Sequence, residues 1–344
     1  MKVSTINISL IPCESLNHLM IPLCKRLLEI DIIPSILGNN TFESGNETID
    51  LNQYNIENEP DISNLVEYVI QQIPFDFDSL PLLVEGESKI IRLLNSKIVI
   101  EKFKPTVYSY TFNRYGEVKG TDELRVLFSA AVFRKMNAFS KTNKAKLKNA
   151  FLAVIENSEG LFLIQEKVDS CNLEIRVKRF HIGSPVHRYR YTEKYPTFQN
   201  DSLPLTKWTR FDKPIVCFDW RNPMTDENGD RLADEPISDD YAGIWMNDIS
   251  SAKKLASETF LWLEQIFSEA DFLLIDICFF IDQSGTKLYG EISPDCMRVR
   301  NSLEALTNST SFDKDLWRQG EKEQVLSERY CNIYNRIFNQ TIKI

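Results

Sequence analysis

The feature that most constrains the fold is an acid inside an apolar run. The run is FLLIDICFFI, residues 272–281, with Asp276 at its centre. Its composition predicts a buried strand, and a buried carboxylate is costly unless it meets a cation, a metal or several donors. The segment YGEISPDCMRVR, residues 289–300, adds four more charged residues: Glu291, Asp295, Arg298 and Arg300. The two segments together indicate either a structural ion-pair cluster or a functional site.

The bulk composition limits the classes of protein to which the chain can belong. With 344 residues, of which 43% are hydrophobic, it can form one large domain or two. A net charge of −9 argues against a nucleic-acid partner. No apolar run approaches the ~20 residues that span a membrane, and the N-terminus does not resemble a signal peptide. Seven scattered cysteines and three histidines argue against zinc and predict a reduced, cytoplasmic setting.

The first 77 residues predict a small α/β extension. STINISLI and IDIIPSIL are typical of short strands, and the segment between them has apolar residues at helical spacing. Residues 38–60 are polar and rich in turn formers, which predicts a loop or flap. A helix is expected to begin after Asp61, which suits an N-cap position.

The remainder predicts an α+β body of two lobes with a ligand-binding cleft. Residues 80–170 contain several hairpin patterns and one helix, and they predict a mainly antiparallel β lobe. Residues 171–344 predict an α/β lobe that contains the acid-bearing strand and a C-terminal helix. Within this lobe, residues 196–240 are rich in proline and predict an irregular stretch.

Three short motifs could bind anions, and each has an ordinary structural alternative. VEGESK, residues 84–89, is a glycine turn in which backbone amides and Lys89 could approach a phosphate, although a plain hairpin is favoured. RVKRFHIGSPVHRYRY, residues 176–191, indicates either a phosphate or carboxylate pocket or a solvated edge strand. SFDKDLWRQG, residues 311–320, places Lys314 and Arg318 on one helix face, and taken alone it favours an ordinary helix start.

The order of these pieces resembles the SAICAR synthetase (phosphoribosylaminoimidazole-succinocarboxamide synthase) family over roughly residues 82–340. That family has E-G-K-x-K, then a strand followed by Gly-Ser, then D-x-K-x-E-F-G, D-E-x-S/T-P-D-x-x-R and D-K-D-x-x-R. The matching residues here are Glu85-Gly86-Glu87-Ser88-Lys89, Lys178 with Gly183-Ser184, Asp276, Glu291 through Arg298, and Asp313 through Arg318.

The resemblance implies a ligase that uses ATP and Mg²⁺ to join aspartate, or a similar amine, to a carboxylated imidazole ribonucleotide. Its partners would be small-molecule nucleotide and amino-acid substrates, and a homodimer is left open. By resemblance, the catalytic residues are Asp276, Glu291 and Asp295, and the first two would also bind the metal. Gly86 and Lys89 would contact ATP. The substrate-binding residues would be Lys178, Ser184, Arg298, Lys314 and Arg318.

Departures from the family pattern concentrate on the ATP and metal side. Glu87 and Cys278 each stand where the family has Lys, Phe280 where it has Glu, and Gly290 where it has Asp. We therefore expect ATP-Mg to bind more weakly than the substrate nucleotide. Two alternatives stay open: a paralogue with altered substrates or without ATP use, and a non-catalytic nucleotide-binding protein.

Overall fold

The structure is a computed structural model that describes residues 5–37, 47–54, 61–109, 114–183, 205–221, 227–228, 232, 234–318 and 320–342. The chain forms two compact units. The first comprises Met1–Lys104, Ala130–Ala138 and Asn149–Val168, and the second comprises Pro105–Ser129, Phe139–Lys148 and Asp169–Ile344. The division expected at 1–77, 80–170 and 171–344 stays a prediction.

The first unit begins with a parallel three-stranded sheet in the order β2-β1-β3. Its elements are β1 (Ile6–Ile11), α1 (Asn17–Glu29), β2 (Ile32–Ile36), β3 (Glu47–Asp50) and α2 (Ile62–Gln71). Asp61 caps α2 as expected, because its side chain accepts hydrogen bonds from the amides of Ser63 and Asn64. The strand at β3 corrects the expected loop or flap. Its ETID sequence is short and polar, yet it pairs in parallel with β1 and buries Ile49.

The same unit contains an antiparallel sheet in the order β4-β5-β6-β10-β9. Its strands are β4 (Leu82–Glu85), β5 (Lys89–Leu93), β6 (Ile98–Phe103), β9 (Phe151–Asn157) and β10 (Gly160–Glu166). One apolar core is shared by residues of both sheets and of α1 and α2, among them Leu27, Val69 and Ile164. Gln71 also donates to the carbonyl of Val154 over 3.0 Å. The N-terminal extension and this sheet are therefore packed as one body.

The second unit is built on a sheet in the order β13-β12-β11-β14-β15, with β16 also paired to β14. The strands of this sheet are β11 (Leu173–Phe180), β12 (Arg210–Trp220), β13 (Glu235–Ile237), β14 (Phe272–Ile281), β15 (Leu288–Tyr289) and β16 (Met297–Asn301). Two further strands, β7 (Thr106–Ser109) and β8 (Arg114–Glu117), pair with each other. The helices are α3 (Thr121–Thr142), α4 (Asp239–Ala242), α5 (Ile249–Glu269), α6 (Asp315–Arg318) and α7 (Glu323–Phe338). Of α3, residues 121–129 and 139–142 belong to this unit and 130–138 to the first.

The long strand β12 corrects the prediction of an irregular stretch at residues 196–240. Pro214 lies within this strand, and proline normally argues against a central strand because it lacks an amide donor. The pairing with β11 is irregular at this point. Lys178 is opposite Ile215, but Phe180 is opposite Arg210, so Pro214 falls in the shifted segment. A bulge needs no regular ladder of hydrogen bonds, and the strand therefore continues past the proline.

The described elements combine helices with parallel and antiparallel sheets, which confirms the expected α+β class. On β14 the odd-numbered residues Ile275, Ile277 and Phe279 are fully buried. Asp276 and Cys278 therefore belong to the opposite face, because successive side chains of a strand alternate. None of the helices within the described ranges is long and apolar enough to cross a membrane.

Candidate active site

Asp276 lies between two cations supplied by the neighbouring strands of the second unit. Lys178 on β11 and Arg298 on β16 are its cross-strand partners. The Asp276 Oδ2 atom is 2.5 Å from Lys178 Nζ and 2.6 Å from an Arg298 guanidinium nitrogen. Burial raises the pKa of Asp276, but Arg298 and Lys178 outweigh burial and lower the pKa to about 2. The carboxyl is therefore ionised, and it compensates the Lys178 ammonium, which is 3% exposed.

Glu291 forms a separate buried ion pair with a residue that the sequence motifs did not single out. Arg125 of α3 donates from Nε and from a terminal nitrogen to the two oxygens of Glu291, each over 2.7 Å. Arg125 is 1% exposed and Glu291 is 4% exposed. Ser293 also donates to the Glu291 carboxylate. Glu291 is thus held on both oxygens inside the protein.

Asp295 is in contact with the predicted substrate residue Lys314. Its two carboxylate oxygens accept from Lys314 Nζ over 3.2 Å and from the Tyr330 hydroxyl over 3.4 Å. Helix α6 begins at Asp315, so Lys314 directly precedes the helix instead of lying on its face. The Ser184 position and the side chain of Arg318 fall outside the residues that the structure describes.

A third buried cluster joins β16 to the D-K-D motif. Arg300 donates to Asp313 over 2.7 Å and to Asp315 over 2.6 Å. Asp315 also lies 3.4 Å from Arg298 Nε, which connects this cluster to Asp276. Burial and the nearby Asp315 together raise the pKa of Asp313 to about 6, although Arg300 lowers it. The alternation of Arg298 and Arg300 along a strand was the one sequence signal for this second cation.

Cys278 stands where the family has Lys, and it lies opposite a cation on the next strand. Arg176 on β11 is directly opposite Cys278. Its guanidinium lies 2.5 Å from Asp219 and 3.2 Å from Glu174. Burial raises the pKa of the Cys278 thiol, and Glu174 adds to the rise, so the thiol stays protonated. The cation at this level is therefore on β11 instead of β14, and it is paired with two carboxylates.

The residues expected to contact ATP belong to the first unit and are paired there. Lys89 Nζ donates to Glu101 over 2.9 Å and lies over the Phe103 ring. The Gly86 amide donates to the Lys89 carbonyl over 2.9 Å, which closes the β4–β5 hairpin. This is the geometry of an ordinary hairpin, in which the glycine amide is already occupied.

The acids expected to bind magnesium do not fit that role. Mg²⁺ prefers several free carboxylate, phosphate or water oxygens in octahedral geometry. Here Arg125 occupies both oxygens of Glu291, and Asp276 is shared by Lys178 and Arg298. Across the described ranges, no group of three or more His, Cys, Asp or Glu residues could hold a metal ion. Gly290, where the family has Asp, has φ +76°, a conformation that suits glycine.

Comparison with known proteins identifies relatives of this chain. A sequence model of the SAICAR synthetase family matches residues 82–333. The phosphoribosylaminoimidazole-succinocarboxamide synthase of Methanocaldococcus jannaschii is 25% identical over 252 residues, which span 72% of this chain and 93% of that protein. Bifunctional cordycepin biosynthesis cluster protein 3 of Cordyceps militaris is 25% identical over 295 residues, spanning 72% of this chain and 32% of that protein.

The fold of the chain also matches solved structures of the same family. A solved SAICAR synthetase in complex with ADP matches at a TM-score of 0.59 and 24% identity, covering 76% of this chain and 99% of that one. The positions of Lys178, Asp276, Asp295, Arg298 and Lys314 lie within the matched residues 82–333. Because the match extends over well more than half of the residues, the chain belongs to the SAICAR synthetase family, a family of carbon–nitrogen ligases.

Proposed function

We propose that this chain is an ATP-dependent ligase of the SAICAR synthetase type. It would join the amine of aspartate, or a similar amine, to the carboxylate of a carboxylated imidazole ribonucleotide. Family membership supports the reaction class, and the solved relative with bound ADP supports the use of an adenine nucleotide. The seven free thiols are in keeping with a reducing cytoplasm.

The observation that carries the proposal is the contact between the two family motifs at one place. Asp295 belongs to S-P-D-x-x-R and Lys314 to D-K-D-x-x-R, and their side chains meet at 3.2 Å. Arg298, from the first motif, lies 3.4 Å from Asp315 of the second. Arg298 and Lys314 thus belong to one network of ion pairs, and an anionic ligand would share these cations with the acids that they contact. Guanidinium and ammonium groups recognise phosphate and carboxylate by charge-assisted hydrogen bonds.

The chemistry assigns a role to these cations. A carboxylate oxygen of the imidazole substrate attacks the γ-phosphorus of ATP, and ADP leaves. The amine nitrogen then attacks the acyl phosphate carbon, loses a proton, and expels inorganic phosphate. Lys178 and Arg298 would hold the reacting carboxylate and offset charge on its oxygens. Lys314, with Arg318 and Ser184, would bind the phosphate of the ribonucleotide, and Asp295 would orient Lys314.

The ATP side is the part of the proposal with the weakest fit. Lys89 is already paired with Glu101, and Glu87 adds a negative charge at the turn. We therefore propose that ATP binds near Gly86 and Lys89 more weakly than the imidazole nucleotide binds its own site. We assign no step to a metal ion held by Glu291 or Asp276, because both acids are occupied by protein cations.

A second candidate is a paralogue that acts on altered substrates or without ATP. The occupied acids, together with Cys278 and Phe280 in place of charged residues, favour this alternative. The Cordyceps relative is named for cordycepin biosynthesis, so relatives of this chain do occur outside the synthases themselves. The two candidates differ in one observable, the dependence of amide formation on ATP.

The test is a turnover assay with ATP, the carboxylated imidazole ribonucleotide and a panel of amines that includes aspartate. The ligase proposal predicts ADP release that requires both other substrates, with formation of the amide in equal amount. Arg298→Met should abolish turnover, whereas the exposed Lys253→Met should leave it unchanged. Amide formation without ATP would instead support the paralogue, and binding without any turnover would support a non-catalytic protein.

A further inference from the structure

Arg125 occupies both carboxylate oxygens of Glu291. The guanidinium approaches edge-on and makes two hydrogen bonds of 2.7 Å, one to each carboxylate oxygen. This fork geometry is the strongest arrangement for an arginine and a carboxylate. Because both residues are buried, a metal ion at Glu291 would displace the buried Arg125 guanidinium from the carboxylate that it pairs with.

The same helix also holds the backbone next to Glu291. Ser129 lies one turn after Arg125 on α3, and its hydroxyl donates to the Arg125 carbonyl over 2.7 Å. That hydroxyl accepts a hydrogen bond from the Ile292 amide over 3.2 Å. The segment that carries Glu291 is therefore fixed to α3 at a side chain and at an adjacent peptide group.

From Glu291 the contacts continue to Asp295. Ser293 donates its hydroxyl to Glu291 and accepts from the Asp295 amide over 3.1 Å. Ser293 thereby caps the short 3₁₀ turn Pro294–Cys296, which contains Asp295. The orientation of the Asp295 carboxylate, and with it the contact to Lys314, depends on this chain of hydrogen bonds.

We propose that Arg125 is the positioning residue for Asp295, and that its guanidinium fills the charge-neutralising place at Glu291 that a magnesium ion would need. Glu291 is then a positioning residue and not a metal ligand. The part that concerns Asp295 and its ligand rests on the proposed function. The part that concerns the metal does not, because it follows from the ion pair alone.

The metal part is tested by titrating the full chain with Mn²⁺ alone and following free Mn²⁺ by electron paramagnetic resonance. The wild type and Glu291→Gln should take up the same amount of Mn²⁺. If the wild type binds an additional ion that Glu291→Gln loses, the assignment of Glu291 as a non-ligand is overturned.

The positioning part is tested with Arg125→Met and with the double variant Arg125→Met/Glu291→Gln, which removes both charges of the pair. The matched control is Arg134→Met, since Arg134 is on the same helix and its ion pair with Glu67 is partly exposed. The double variant should melt close to the wild-type temperature, yet kcat should fall by about 10-fold to 100-fold because Asp295 is no longer oriented. A folded double variant with wild-type kcat would overturn the proposal.

A binding measurement separates failure of this inference from failure of the ligase proposal. If the wild type has no ligase turnover, calorimetry with the carboxylated imidazole ribonucleotide replaces kcat as the readout. The double variant should then bind this probe at least about 10-fold more weakly than the wild type and Arg134→Met do. Equal affinity in all three proteins would refute the role of Arg125, whatever the reaction.

Discussion

Replacing Asp276 by asparagine removes one negative charge without changing the size of the side chain. The substitution leaves Lys178 buried near two guanidinium groups and without the carboxylate that lies 2.5 Å away. Burial lowers the pKa of Lys178, and Arg298 and Arg176 add to this effect, whereas Asp276 opposes it. We therefore expect Asp276→Asn to destabilise the second unit strongly.

Two arguments give the size of the effect. The Asp276 pKa of about 2, against an ordinary value of 3.8, corresponds to about 2 kcal/mol of stability at neutral pH. Removing one member of a buried ion pair costs about 3–5 kcal/mol in other proteins. We expect a loss of about 3 kcal/mol. Because the folded pKa is lowered, this stability is present above pH 4 and is lost as the pH falls through 2.

The assay is equilibrium unfolding in urea at neutral pH, with Asp239→Asn as the control. Asp239 also forms an ion pair, with Lys253 at 2.7 Å, but both side chains are more than a third exposed. Its loss should change the free energy of unfolding by less than about 1 kcal/mol. If Asp276→Asn costs no more than this control, the buried cluster does not stabilise the fold in the way that we describe.

Three further predictions concern single positions. Gly183→Ala should weaken binding of the imidazole nucleotide and lower the melting temperature, because Gly183 has φ +76° and an added Cβ would lie 3.0 Å from the Arg298 guanidinium. An unchanged affinity in calorimetry and an unchanged melting temperature would contradict this prediction. The pKa of Asp313 is raised to about 6, so protonation of Asp313 stabilises the folded chain below pH 4, and this stabilisation is lost as the pH rises through 6. In urea unfolding, Asp313→Asn should lack that decline in the free energy of unfolding. A decline that persists in the variant would assign it to another group. Glu87→Lys should tighten ATP binding if the triphosphate passes over the β4–β5 turn, and equal affinity in calorimetry would exclude that path.

Strong periodic patterns predicted their elements correctly, and two weak patterns did not. The apolar spacing of α1, the start of α2 after Asp61 and the apolar run of β14 were evident in the sequence, since burial dictates the pattern of apolar residues. β12 was missed because Pro214 counts against a strand unless a bulge removes the need for its amide. β3 was missed because a short parallel strand is stabilised by its partner β1, which local composition does not reveal.

The candidate site was predicted in part. Alternation along strands puts Lys178, Asp276 and Arg298 on one face, and the motifs brought attention to all three. Arg125 was beyond reach, because it is 166 residues from Glu291 and nothing in its helix suggests a buried partner. An acid in a motif can equally bind a metal or a guanidinium, and only the packed structure shows which cation is present.

The central claim is that ATP activates the carboxylate of the imidazole substrate. The most direct measurement uses a substrate whose carboxylate is labelled with oxygen-18, followed by mass spectrometry of the released phosphate. Attack on ATP and later loss of phosphate would transfer one labelled oxygen from each carboxylate to inorganic phosphate. The ligase account predicts labelled phosphate in equal amount to the amide. Amide formation that releases only unlabelled phosphate, or none, would contradict it.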